Sequence, residues 1–89
     1  MSLSGKWVLL VRKSVYGQLA RFPAADRTRI GLVINSLPQN PFAGDVEKID
    51  GDENLWRRRV GKYRIFFELI KKDVVVYVTE VKRRTSSTY

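Results

Sequence analysis

The tetrapeptide Val60-Gly61-Lys62-Tyr63 constrains this chain more than any other segment, because it joins two runs of strand-forming residues through two turn positions. Glycine followed by an ordinary residue is what a two-residue type II′ turn demands: the first position needs a positive φ, and the twist of the turn matches that of paired strands. So short a turn fixes the register. Val60 must face Tyr63, Arg59 must face Arg64, and Arg58, Arg57 and Trp56 must face Ile65, Phe66 and Phe67. Residues directly opposite one another point to the same side of a sheet. One side then collects Trp56, Val60, Tyr63, Ile65 and Phe67, a core face. The other collects Arg57, Arg59, Arg64, Phe66 and Glu68. Arg58 falls on the core side, where it either sits at a rim with only its stem buried or signals a different register.

The remaining elements follow from periodicity. Trp7–Val11 reads as a buried strand. Ser14 is placed to cap a helix carrying Val15, Tyr16, Leu19 and Phe22, which Pro23 ends. A second helix runs from Ala24 to about Leu37, with Ile30, Val33, Ile34 and Leu37 as its apolar stripe and Asp26 in its first turn. The two helices are expected to form an antiparallel hairpin. Asn40–Asp52 reads as a loop. Leu55–Val60, Lys62–Ile70 and Val74–Val81 read as three consecutive antiparallel strands, the last two turning at Lys71-Lys72-Asp73. If Lys71 pairs with Val74, Arg64 faces Val81. The expected fold class is α+β, in the order β-α-α-β-β-β, with the helix hairpin packed on one face of an antiparallel sheet. With 89 residues, 44% of them hydrophobic, the chain suffices for one domain over residues 1–89.

Composition narrows the chemistry. There is no cysteine, so disulfides and thiolate metal sites are excluded, and no histidine, which removes the commonest general base and metal ligand. Catalysis would have to use Arg, Lys, Tyr, Ser/Thr or carboxylates. The net charge of +8 attracts polyanions, nucleic acid first and an acidic protein second. The hairpin register gives this charge a position. Two arginines directly opposite each other, Arg59 and Arg64, are unfavourable for the sheet, and a phosphate bound between their guanidinium forks would remove the penalty. The alternative is screening by Glu68 and solvent. Beyond Val81 the chain brings Arg83, Arg84 and Tyr89 towards the same cluster. Guanidinium groups hold phosphate, and a tyrosine can stack on a base or handle a proton. No stretch is long enough to span a membrane, and the first residues do not resemble a signal peptide, so a cytoplasmic protein is expected.

The run Leu55-Trp56-Arg57-Arg58-Arg59-Val60-Gly61-Lys62-Tyr63-Arg64-Ile65-Phe66-Phe67-Glu68 resembles the central strand pair of the RelE/ParE toxin superfamily. Leu37-Pro38-Gln39-Asn40-Pro41 resembles the family's Leu-x-x-Asn-Pro, Lys48-Ile49-Asp50-Gly51 its Lys-Leu-x-Gly, and Val81-Lys82-Arg83-Arg84 with Tyr89 its tail. The resemblance covers nearly the whole chain. It implies a microbial-ribonuclease-like fold and a toxin of a type II toxin–antitoxin system. For the RelE-like branch it further implies cleavage of mRNA on the ribosome without a metal or cofactor. By position, Arg64 would stabilise charge on the phosphate, Arg84 would assist the leaving oxygen, and Tyr89 would orient or deprotonate the nucleophile. Arg59 would hold or activate the RNA. Arg57, Lys48, Lys62, Lys82 and Arg83 complete the expected RNA-contacting set. The base stays open, because arginine remains protonated and Glu53 or Glu68 could serve only if the fold aims it inward. Arg58 departs from the family's apolar residue. The alternatives are a ParE-like inhibitor of DNA gyrase without nuclease activity, and a non-catalytic module that binds RNA or antitoxin. The expected partners are the ribosome with its mRNA and an acidic, partly helical antitoxin.

Overall fold

The computed structural model describes residues 6–51 and 54–84. Its elements are β1 (Val8–Val11), α1 (Lys13–Ala20), α2 (Ala24–Ser36), β2 (Val46–Lys48), β3 (Leu55–Val60), β4 (Tyr63–Ile70), a 3-10 turn at Lys71–Asp73 and β5 (Val75–Arg83). They form a five-stranded sheet in the order β1-β5-β4-β3-β2. The α+β class and the order of the helices and major strands are as expected from the sequence.

Two features of the sheet differ. β2 forms inside the stretch that reads as a loop, pairing antiparallel with β3. Three residues are too few to show an alternating pattern, and β2 exists because β3 offers it an edge. The sheet is also mixed, because β1 runs parallel to β5. The helical hairpin carries the chain across one face, so the next strands start at the far side and β5 arrives last beside β1. β1 is accordingly an edge strand and not a buried one. Val8 and Leu10 are 56% and 49% exposed, whereas Leu9 and Val11 pack against the core.

Helix α1 starts two residues earlier than a Ser14 cap would allow. Arg12 is its N-cap and makes no side-chain capping bond. The Arg12 amide donates instead to the Val78 carbonyl at 2.8 Å, tying the end of β1 to β5 just where the helix begins. Tyr16 faces solvent and Val15 takes the core position. Pro23 separates the helices and caps α2 in an extended conformation. Ile30, Ile34 and Leu37 meet Val15 and the inward residues of β3, β4 and β5, which are Val60, Tyr63, Ile65, Phe67, Leu69, Val76, Val78 and Val81. Fully burying one such large side chain contributes about 1.5–3 kcal/mol.

The β3–β4 hairpin has the register its turn dictates, from Val60 opposite Tyr63 to Trp56 opposite Phe67. Gly61 has φ +58° and Lys62 does not take a positive φ, as a type II′ turn requires. The β4–β5 hairpin keeps its expected alignment only near the turn, from Ile70 opposite Val75 to Phe67 opposite Val78. A bulge between Phe66 and Phe67 then inserts one residue on β5, so Arg64 faces Lys82 and not Val81. The cause is the spacing of valines. Val76 and Val78 alternate inward, and the next inward residue is Val81, leaving Thr79 and Glu80 together between them. Gln18 on α1 closes the irregularity, its side-chain oxygen accepting from the Val81 amide at 2.8 Å.

Candidate nucleic-acid interface

The helices cover one face of the sheet and leave the other open. On the open face lies a groove of about 360 Å³ lined by Arg64, Phe66, Lys82, Arg83 and Arg84. The bulge builds it. By shifting β5 one position, it sets Lys82 opposite Arg64 and Glu80 opposite Phe66, all on one side. Lys82 Nζ lies 5.9 Å above the Phe66 ring and 3.6 Å from Glu80 Oε2. The end of β5 is pinned to the β3–β4 turn, the Arg84 amide donating to the Lys62 carbonyl at 2.6 Å. Arg64 Nε is buried and has no hydrogen-bond partner. Among the described residues neither Arg64, Arg83 nor Arg84 has a carboxylate to pair with. A half-buried guanidinium facing a lysine, with two more arginines nearby, is a poor arrangement for stability and a good one for an anion with several oxygens.

Arg57 and Arg59 share that face, and their surroundings differ. Arg57 hydrogen-bonds Glu47, its cross-strand partner on β2. Arg59 is held twice by Asp45: its amide donates to the Asp45 carbonyl at 2.9 Å, and its Nε lies 3.8 Å from Asp45 Oδ2. The like charges at Arg59 and Arg64 are therefore relieved from within the chain. Asp45 does this on the Arg59 side, with Glu47 taking up the neighbouring Arg57, and not Glu68, which lies further along β4 opposite Leu55 and Tyr77. Neither acid stands out in the sequence, because a strand of three residues has no pattern of its own.

Lys48 faces Trp56 across β2 and β3, which sets it on the helix side of the sheet, away from the groove. Lys62 is at the tip of the β3–β4 turn and exposed. Arg83 is the cross-strand partner of Tyr63, so its side chain leaves the sheet on the helix side and it borders the groove only at the end of β5, between Lys82 and Arg84. Glu53 and Tyr89 lie outside the described residues. Arg58 is on the helix side, as the register demands. Its guanidinium lies against Gly44, where a Cβ would come within 2.5 Å of its central carbon, and its Nε is buried without a partner. Gly44 has φ +81°, so its backbone favours glycine there, and a side chain would also have to displace the Arg58 guanidinium.

Tyr63 is the one tyrosine close to the cluster among the described residues, and it is committed elsewhere. Its hydroxyl donates to Asp26 Oδ2 at 2.7 Å and its ring packs 4.5 Å from Phe22. The hydrogen bond to Asp26, with burial and the negative charge of Asp26 behind it, raises the phenol pKa above its usual value, while Arg83 and Arg29 pull the other way. A phenol held in that state is a hydrogen-bond donor that pins α2 to the sheet, not a proton acceptor. No group of three or more acidic side chains among the described residues could hold a metal ion, and no helix among them is long and apolar enough to cross a membrane.

A sheet with one face sheathed by a helix hairpin and a cationic groove on the other belongs to the class of RelE-fold toxins. The archaeal RelE–RelB complex from Pyrococcus horikoshii OT3 contains a chain that superposes with a TM-score of 0.80 at 26% identity, covering 92% of this chain and 99% of that one. The isolated E. coli RelE toxin shares the fold at 17% identity, with a TM-score of 0.76 over 91% of this chain and 87% of that one. Toxin RelE3 of Methanocaldococcus jannaschii is 33% identical over 85 residues, 91% of this chain and 96% of the relative. Residues 12–87 match the family described as the ParE toxin of type II toxin–antitoxin systems, and the chain belongs to that family, within the RelE/ParE superfamily. It is a type II toxin.

Proposed function

We propose that this toxin acts on the RelE side of its superfamily, as an endoribonuclease that cleaves mRNA in the ribosome without a metal and is neutralised by an acidic antitoxin. The observation that carries the reading is the guanidinium of Arg64, whose buried Nε has no partner among the described residues, inside a groove whose other charged walls are Lys82, Arg83 and Arg84. The relatives support it: RelE chains of this fold have been crystallised with RelB antitoxins. In the reaction the ribose 2′-oxygen attacks the adjacent phosphorus and the bond to the 5′-oxygen breaks. The 2′-hydroxyl proton goes to a base and the 5′-oxygen takes up a proton, leaving a cyclic phosphate and a 5′-hydroxyl. Arg64 holds the non-bridging oxygens as charge develops on them, the effect that lowers such barriers most. Arg84 lies beside the leaving oxygen, with Lys82 and Arg83 on flanking phosphates. Phe66, on the groove floor, offers a face for a base to stack on. Arg57 and Arg59 reach the strand once it displaces their carboxylates. Tyr89 is the candidate to orient or deprotonate the nucleophile.

Cleavage of mRNA on programmed ribosomes, compared with Arg64→Ala, tests this. Loss of roughly 10²–10³ in rate is expected from removing one donor to the developing charge, with the native activity persisting in excess chelator. A second reading has the family match behind it: the matched family is that of ParE toxins, so a ParE-like inhibitor of DNA gyrase is the alternative. Gyrase inhibition by a chain that leaves mRNA intact would replace the nuclease reading. Binding of RNA or antitoxin with neither activity would leave a non-catalytic module.

A further inference from the structure

The open face carries two arginine sets of opposite status. Arg64 and Arg84 have no carboxylate among the described residues, while Arg57 and Arg59 are each matched by one. Both acids come from one short segment, Asp45-Val46-Glu47, at the edge of the sheet. Pairing of β2 with β3 uses backbone groups and does not require acids at those positions. The acidic side chains are 64% and 60% exposed, so each pair is weak, reversible and open to competition from another anion.

We infer that Asp45 and Glu47 are specificity-determining residues: they occupy Arg57 and Arg59 as internal stand-ins for phosphate, and so confine a free RNA strand to the Arg64 groove. This rests on the RNA-cleavage reading. A free strand meets a short cationic track, one groove long, and binds weakly. A strand held in place by a larger assembly presents its phosphates at high local concentration, displaces the two carboxylates, and gains two further guanidinium contacts across β3. The acids then discriminate between RNA in solution and RNA already positioned, and they do so without touching the reacting atoms.

The test is binding of a short single-stranded 2′-O-methyl oligonucleotide, which cannot be cleaved, to the native protein and to D45N/E47Q over a range of salt. The double variant is expected to bind about tenfold more tightly at low salt. The slope of log K against log salt should steepen by about 1.4, since each freed charge on a single strand adds roughly 0.7. Arg57→Ala with Arg59→Ala should weaken binding far more in the D45N/E47Q background than in the native one. If the acids serve only the fold, D45N/E47Q will melt earlier while affinity and slope stay at native values, and the inference is overturned. Should the double variant fail to fold, Glu47→Gln alone carries the test with about half the change in slope, because Asp45 and its contacts remain in place. Arg64→Ala separates the two levels. If it binds the oligonucleotide as well as the native protein, the groove reading fails and takes this inference with it. If it binds worse while D45N/E47Q does not bind better, the groove stands and only the role of the acids is lost.

Discussion

Tyr63 shows how one side chain can be decisive for the fold while standing beside the chemistry. Its ring is in the core and its hydroxyl is bonded to Asp26 on α2. Below about pH 10 the phenol is protonated whether the chain is folded or not, and the contact is fully present. Because the folded pKa is raised, the unfolded chain releases its proton first as pH climbs through that range, and native stability falls from there towards the higher folded value. Tyr63→Phe lacks the bond at neutral pH and has no phenol to ionise. Urea unfolding at about pH 8 and about pH 10.5 should show the native protein more stable at the lower pH and the gap narrowing at the higher one. A gap that widens with pH would mean that the hydroxyl does not donate to Asp26. Residue identity alone did not reveal this bond. Tyr63 was legible as a core residue from the hairpin register and Asp26 as a first-turn acid, but their meeting depends on how α2 lies across the sheet.

At the scale of elements, the β3–β4 hairpin could be read in full, because a two-residue turn leaves its strands one alignment. The β4–β5 pairing could be read only as far as the bulge. One inserted residue leaves no periodic trace beyond the displaced valine at position 81, and that trace has meaning only once the core face is known. β2 was illegible for a different reason: with three residues it has no pattern of its own. The groove depended on the bulge and the masking of Arg57 and Arg59 depended on β2, so Arg64, Lys82 and Arg84 were named without their true neighbours. The bulge also gives a test. Deleting Thr79 would leave Ile65 opposite Val81 and Arg64 opposite Lys82, since only the unpaired residue is lost, while removing the extra twist that aims the end of β5. The deletion is expected to fold, with its thermal midpoint within about 8 °C of native, equivalent to roughly 1–2 kcal/mol for a domain of this size. Oligonucleotide affinity and cleavage should each drop by about tenfold or more, the cost of about 1.4 kcal/mol in positioning. Undiminished binding would show that the twist is not needed to shape the groove.

Across the whole molecule, a net charge of +8 on 89 residues is a standing cost. The four cations of the groove lie together without enough carboxylates to balance them, and their mutual repulsion opposes the compact state. Added salt shortens the reach of that repulsion, from about 30 Å at 0.01 M to about 8 Å at 0.15 M. The thermal midpoint should therefore rise with sodium chloride over that range, and Arg64→Ala should both raise the midpoint at low salt and flatten its salt dependence. A midpoint that falls with salt would mean that the ion pairs of β2 outweigh the repulsion in the groove.

The parallel seam between β1 and β5 has a temporal meaning. Among the described residues β1 has no other neighbour in the sheet, and the groove has no second wall until β5 is laid down. A nascent chain that has emerged as far as Val74 owns both helices and Arg64, yet lacks Lys82, Arg83 and Arg84 and cannot seat its first strand. Long-range closures of this kind come late in folding. The seating of the first strand and the completion of the cationic groove are thus one event, both waiting on β5.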